Sequence, residues 1–245
     1  VDILGVGVHS LDMRRAVQLI DGRLCRKEKG YVCAADVNVI MEATRDRRYM
    51  EILNSSFLTV PDGMPTVWLG RLKGNAHMSR VCGPDLMLAV CEMSQSKGYT
   101  HYLLGGKEGV AETLKARLLA RFSGLKIVGT YTPPFRPLNA VETDSLISKI
   151  KELTPDIIWV GLGAPKQERF MAEYLDRLDT TLMFGVGAAF DYHSGQKKEA
   201  PKWMQNAGLQ WLHRLAQEPG RLGKRYLVNN PRFVQKVLCQ LLSRK

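Results

Sequence analysis

The sequence lacks a Cys-x-x-Cys pair, an Asp-x-Asp pair, a complete Gly-x-Gly-x-x-Gly turn, and any apolar run near the roughly 20 residues that span a bilayer. Each absence removes a class of protein. Its five cysteines, Cys25, Cys33, Cys82, Cys91 and Cys239, make no metal-like cluster with the five histidines. Cys33, Cys82 and Cys91 sit in apolar segments, which reads as reduced core thiols and a cytosolic setting. No stretch can serve as a transmembrane helix. Val1 opens directly on an apolar strand with no basic-then-apolar leader, so no secretory signal is expected, although the missing initiator methionine leaves an upstream segment open. Low complexity and internal repeats are absent too. With 245 residues, 45% of them hydrophobic, the chain can bury one large core or one and a half.

Acidic residues are scarce in one region only. From Lys197 to Lys245 there are eleven Lys/Arg against Glu199 and Glu218, so this last fifth carries +9 of the total +11. The chain divides on this basis into a nearly balanced body, residues 1–196, and a basic appendage, residues 197–245. Such an appendage meets something anionic: a membrane surface, a diphosphate or a nucleic acid.

In the body, short apolar runs alternate with helical patterns. Asp2 to Val8 reads as a strand ending in Gly5-Val6-Gly7, followed by a helix capped by Ser10 or Asp12 and reaching Cys25. Further strands are expected at Tyr31–Ala35, Phe57–Val60, His101–Leu104, Lys126–Gly129, Asp156–Trp159 and Thr181–Phe184. Helices of 10 to 15 residues between strands imply an α/β, Rossmann-like fold, with a mostly parallel sheet and helices on both faces. Open parallel sheets bind ligands at the carboxyl ends of their strands. There this sequence places Asp36 and Asn38, Asp62, Gly105 and Gly106, Gly161 and Gly163, and Gly187 with Asp191. Asp36 and Asn38 read equally as a helix cap or as ligand contacts, and Asp62 as a turn residue or a reactive carboxylate. The stretch Val160-Gly161-Leu162-Gly163-Ala164-Pro165-Lys166-Gln167-Glu168 reads as strand, glycine turn and helix start, a candidate phosphate site. The bland alternative is a tight βα turn.

Pro61-Asp62-Gly63, Leu103-Leu104-Gly105-Gly106, the 160–168 stretch, Gly185-Val186-Gly187-Ala188-Ala189-Phe190-Asp191, Ala200-Pro201-Lys202-Trp203-Met204 and Gly208-Leu209-Gln210-Trp211-Leu212-His213-Arg214 together resemble the WecG/TagA/CpsF glycosyltransferases, in order and spacing, across nearly the whole chain. The resemblance implies an inverting transfer of a sugar, typically of N-acetylmannosamine type, from a UDP-sugar to an undecaprenyl-diphosphate-linked acceptor in the making of bacterial cell-surface polysaccharide. The setting it implies is the inner face of the plasma membrane, with the protein cytoplasmic and peripheral. It also makes Asp62 the general base and Gln167 a donor contact, and brings an arginine-bearing appendage over the site; Lys166 is a donor contact or simply exposed. One departure stands out. The family often has Thr-Pro-Asn after the second strand, where this chain has Ala34-Ala35-Asp36, which puts the donor role of Asp36 in question and leaves Asn38 to share it.

The chemistry points the same way. An attacking hydroxyl must lose its proton to a carboxylate in reach, and a leaving diphosphate needs its charge stabilised. Without an Asp-x-Asp pair no metal site is expected, and no cofactor; the work falls to cations such as Arg214, Arg221 and Arg225. The tail's apolar residues, from Trp203 to Leu241, recur at helical spacings between Lys and Arg, and Pro219 and Pro231 are expected to cut it into short helices. Such helices either pack on the core or lie on an anionic membrane, and the resemblance favours the membrane. Two other readings remain. A nicotinamide-dependent oxidoreductase suits the Gly-x-Gly turns but lacks the full fingerprint, and a nucleic-acid-binding protein suits the basic tail but has no recognised module. No nucleic acid is expected as partner; a homo-oligomer is left open.

Overall fold

The computed structural model describes residues 1–243, so the last two residues of the basic appendage lie outside the described residues. The single strand expected over Asp2 to Val8 is instead a hairpin: β1 (Asp2–Ile3) and β2 (Val6–Gly7) pair antiparallel, apart from the main sheet. Leu4 at φ 53° and Gly5 at φ 91° make a two-residue left-handed turn, which reverses the backbone where an apolar run alone would extend it.

Beyond the hairpin the alternation is as expected. In order come α1 (Met13–Cys25), β3 (Gly30–Ala35), α2 (Val37–Ala43), α3 (Arg47–Asn54), β4 (Leu58–Pro61), α4 (Met64–Leu72), α5 (Gly83–Lys97), β5 (Thr100–Gly105), α6 (Val110–Arg121) and β6 (Lys126–Tyr131). Then follow α7 (Ala140–Leu153), β7 (Ile157–Gly161), α8 (Lys166–Tyr174), β8 (Leu182–Gly185), α9 (Ala189–His193), α10 (Lys202–Asn206), α11 (Gln210–Gln217) and α12 (Pro219–Leu242). Asp12 caps α1, accepting from the Arg15 amide at 2.7 Å, and Asn139 caps α7 in a reciprocal box with Glu142.

The main sheet is six-stranded and parallel throughout, in the order β4-β3-β8-β7-β5-β6. Apart from the edge strand β6, its strands are buried on both faces. Val32, Leu103, Trp159 and Phe184 feed one apolar cluster, while Tyr31, Tyr102, Ile158 and Met183, one residue out of phase, feed the other. Burying side chains of this size stabilises by about 1.5–3 kcal/mol each, which is what holds two helical layers on one sheet. From β5 the chain turns outward to β6, and from β7 inward to β8, so a crevice opens between them at the carboxyl edge.

The tail differs from its sequence reading at Pro231, which sits inside the continuous 24-residue α12 instead of ending a helix. Pro231 and Leu227 are both on the solvent side, so water can take the Leu227 carbonyl that the missing N–H would have served. The opposite face of α12 buries Leu222, Tyr226, Asn229, Phe233 and Val237, and Phe233 and Val237 join the same apolar cluster as α2. Among the described residues no helix is long and apolar enough to cross a membrane.

Candidate active site

One cavity of about 1960 Å³ runs along the carboxyl edge of the sheet and under the tail. Asp36, Asn38, Asp62, Gly106, Gly161, Gly163, Lys166, Gln167, Gly187, Asp191, Arg214, Arg221 and Arg225 all line it. Gly105 does not. A side chain there would meet the Gly161 backbone at 2.6 Å, so Gly105, at φ 133°, lets β5 and β7 close together beneath the cavity.

Asp36 and Asp62 emerge side by side because Ala35 and Pro61, the residues before them, are register partners in β3 and β4. The Asp62 amide also donates to the Ala35 carbonyl at 3.2 Å. Of the two roles the sequence left open for Asp36, the structure shows the helix cap. Asp36 Oδ1 accepts from the Val39 amide at 2.8 Å as the α2 cap, its Oδ2 accepts from Asn38 Nδ2 at 3.3 Å, and it stays on the cavity wall. No described residue hydrogen-bonds the Asp62 carboxylate. Burial first, and then the neighbouring Asp36 charge, push its pKa up to about 7, against the pull of Arg80 and Arg214. A carboxylate so placed can accept a proton near neutral pH.

The cations are not equivalent. Arg214, on α11, keeps its proton more tightly than usual: burial opposes its charge, but Tyr226, Tyr192, Asp36 and Asp62 together outweigh that cost. No described residue accepts a hydrogen bond from the side chain of Arg214 or Arg225, so both can turn to an anion. Arg221 is held by Glu218, at 3.0 Å from Nε and 2.5 Å from Nη2. Glu218 also takes Lys197 at 3.2 Å, and Lys197 takes Asp191 at 2.6 Å. Asp191 and Arg221 are thus the two ends of one ion-pair chain. Lys166 lies 4.5 Å over the ring of Phe135, at the tip of the proline-rich loop after β6.

The 160–168 stretch folds as strand, turn and helix, but its turn is filled from within. Gln167 Oε1 accepts from the Gly163 amide at 3.1 Å, and Gln167 Nε2 donates to Glu168 Oε1 at 2.8 Å. Tyr49 Oη donates to the other Glu168 oxygen at 3.1 Å. Glu168 is fully buried, and desolvation raises its pKa to about 7 even though the bonds from Gln167, its own amide and Tyr49 favour the charge. The anion at the start of α8 is therefore Glu168, and the Gly163 amide is not spare for a phosphate.

Sequence reasoning passed over several cavity residues. Arg80 is one, donating to Gln205 at 2.5 Å, Gln210 at 3.2 Å and Asp85 at 3.2 Å, and so tying the start of α5 to α10 and α11. Tyr192 and Tyr226 are others, lining the cavity beside Arg214. Arg80 lies in an irregular segment where no periodicity or motif marks it, and only the contacts of the folded tail reveal it. Glu168, which does not line the cavity, carried a signal, an acid closing a glycine-rich motif. Among the described residues no group of three or more His, Cys, Asp or Glu is gathered as a metal site.

The chain is similar to known proteins over most of its length. The chain is 29% identical over 215 residues to the N-acetylglucosaminyldiphosphoundecaprenol N-acetyl-beta-D-mannosaminyltransferase of Bacillus subtilis, covering 87% of this chain and 81% of that one. It is 30% identical over 216 residues to the protein of the same name from Bacillus spizizenii, covering 88% and 81%. The Glycosyl transferase WecG/TagA/CpsF family matches residues 1–245, and the chain belongs to that family and is a glycosyltransferase.

Proposed function

We propose that this enzyme moves an N-acetylmannosamine-type sugar from UDP to a sugar carried on undecaprenyl diphosphate, working at the inner surface of the bacterial plasma membrane. The observation that carries the reading is that Asp62 and Arg214 line one cavity, Asp62 with its pKa raised to about 7 and Arg214 pulling against that rise. The acceptor hydroxyl attacks the anomeric carbon from the face opposite the leaving UDP, and Asp62 takes its proton. As the glycosidic bond breaks, negative charge grows on the diphosphate, where Arg214 and Arg225 stabilise it without having to leave another partner. Arg221 joins only by giving up Glu218. At about 1960 Å³ the cavity exceeds the several hundred to about 1,000 Å³ that one small ligand occupies, and suits two substrates at once. Both relatives are named for a donor and an acceptor of these kinds.

The test is direct. Purified enzyme is given UDP-N-acetylmannosamine and an N-acetylglucosamine diphosphate lipid, and the lipid-linked product is followed by mass spectrometry. Transfer with inversion is expected; no transfer, or stabilisation by NAD or an oligonucleotide but not by UDP in a thermal-shift assay, would overturn the reading.

A further inference from the structure

Asp62 sits immediately before α4, and the cavity does not end at Asp62. It continues outward between α4 and the second half of α12, lined by Trp68, Leu69 and Leu72 on one side and Val234, Leu238 and Leu241 on the other. Leu69 and Val237 are buried together in one apolar cluster and form the base of this groove. Its rims are unusually bare: Trp68 is 49% exposed, Leu72 68%, Val234 57% and Leu238 55%. Large apolar side chains exposed in a row mark a binding surface more often than a solvent face. The charged neighbours are drawn elsewhere. Arg71 donates to the Met78 carbonyl at 2.9 Å, and Lys73 reaches Gln240 at 3.2 Å and the Asp2 carbonyl at 2.6 Å, which ties α4 to α12 at the far end. At the near end Trp68 and Met64 pack against the turn at Gly208.

We infer that this groove binds the first isoprene units of the acceptor's prenyl chain. The inference rests on the acceptor assignment proposed above and adds a site to it. Its occupant follows from continuity: whatever hydroxyl reaches Asp62 is joined, through a diphosphate, to a chain that must leave the cavity, and the exit beside α4 is apolar on both walls. Nine residues of α4 give a lane of about 13 Å, enough for a few isoprene units. Burying a prenyl segment there, at about 0.8 kcal/mol per buried methylene, ties acceptor recognition to the lipid as well as to the sugar.

The experiment compares two N-acetylglucosamine diphosphate acceptors in detergent micelles, one with a short alkyl group and one with several isoprene units. The native enzyme should show kcat/KM at least tenfold higher on the prenyl acceptor. Leu72→Asp and Leu238→Asp should erase that advantage while leaving the short acceptor, UDP binding and Tm unchanged; Val234→Trp, which fills the groove without adding charge, should do the same. Equal use of both acceptors by the native enzyme would overturn the groove, as would variants that lose both acceptors equally. Variants that lose only sedimentation with anionic vesicles would make this a bilayer-facing surface, and variants that only dissociate a dimer in analytical ultracentrifugation would make it a contact between copies; either result sinks the proposal. No transfer by the native enzyme to any lipid acceptor is a different failure, in which the acceptor assignment falls and takes the groove with it.

Discussion

Two carboxylates, the half-buried Asp62 and the buried Glu168, are both raised to about 7, yet they serve opposite ends. Asp62 has no hydrogen-bond donor among the described residues and faces the cavity, so its cost of burial is spent on reactivity. Replacing it by Asn should cut kcat by roughly a hundredfold to ten-thousandfold while UDP affinity holds within a few-fold, measured by turnover and calorimetry. The same change should raise Tm at pH 8. The folded state binds the Asp62 proton more tightly than the unfolded chain, so this group's contribution to stability is full below the unfolded pKa and is lost as pH rises through about 7. Activity needs the ionised form and runs the other way, with kcat/KM climbing through the same interval. Asp36→Asn keeps the α2 cap, since Asn also caps well, but removes a like charge beside the base; the acid limb of the pH–rate profile should move to lower pH. A limb that stays in place would show that burial alone sets Asp62. Glu168, by contrast, is held from both sides and shapes the turn. Glu168→Ala strands the Tyr49 hydroxyl and one Gln167 N–H in a dry site, at about 1–3 kcal/mol for each lost partner. Donor KM should rise about tenfold or more, whereas Glu168→Gln, which still accepts from Gln167, should stay near the native value and gain stability above pH 7. Equal losses in both variants would mean that the charge, and not the turn it holds, is what counts.

At the scale of elements, α12 is seated by a polar contact in the middle of an apolar face. Asn229 Nδ2 donates to Asn38 Oδ1 at 3.1 Å and Asn229 Oδ1 accepts from Arg45 at 2.6 Å, so α12 is keyed to α2 next to the Asp36 cap. Asn229→Ala should lower Tm by several degrees and expose the tail to limited proteolysis before the body, because Asn38 and Arg45 both lose a partner near the cavity. If the tail stays as protected as in the native chain, the apolar contacts of Tyr226, Phe233 and Val237 suffice. Such a key could not be read from the sequence, where Asn38 and Asn229 are separated by 191 positions. The parallel strands were legible for the opposite reason: runs such as Tyr31–Ala35 and His101–Leu104 are apolar without alternation, the signature of a sheet covered on both faces. The carboxyl edge was legible with them, because a strand's end names its own loop, and Asp36, Asp62 and Gly187 all arrive at the cavity as expected. What failed were places where the neighbour decides. Leu4 and Gly5 turn a run that reads as one strand, Pro231 survives on the wet side of a helix, and the Gly163 amide, which reads as open to a phosphate, is taken by Gln167, itself bonded to Glu168.

The whole molecule is electrically lopsided, with +9 of its +11 charge in the last fifth of the chain. That segment covers the cavity with one side and meets solvent with the other. The inner side supplies Arg214 and Arg225 and buries Leu222, Tyr226, Phe233 and Val237, so cutting the tail away would uncover apolar core as well as remove charge, and a truncated chain would test both losses together. The outer side separates them. Lys224, Arg232 and Lys236 are exposed on α12, as are Leu227 and Leu242; Trp203 and Leu212 add apolar exposure on α10 and α11. Basic helices with exposed apolar side chains suit an anionic bilayer surface, where each cation contributes about 1 kcal/mol. Replacing Lys224, Arg232 and Lys236 together by Gln should therefore weaken co-sedimentation with phosphatidylglycerol vesicles on the order of a hundredfold, with the native difference shrinking as salt is raised. Tm and turnover on a detergent-solubilised acceptor should be unchanged, since none of the three lies in the apolar contact with the core. Unchanged vesicle binding would remove the tail's charge from membrane attachment and leave closure of the cavity as its one duty.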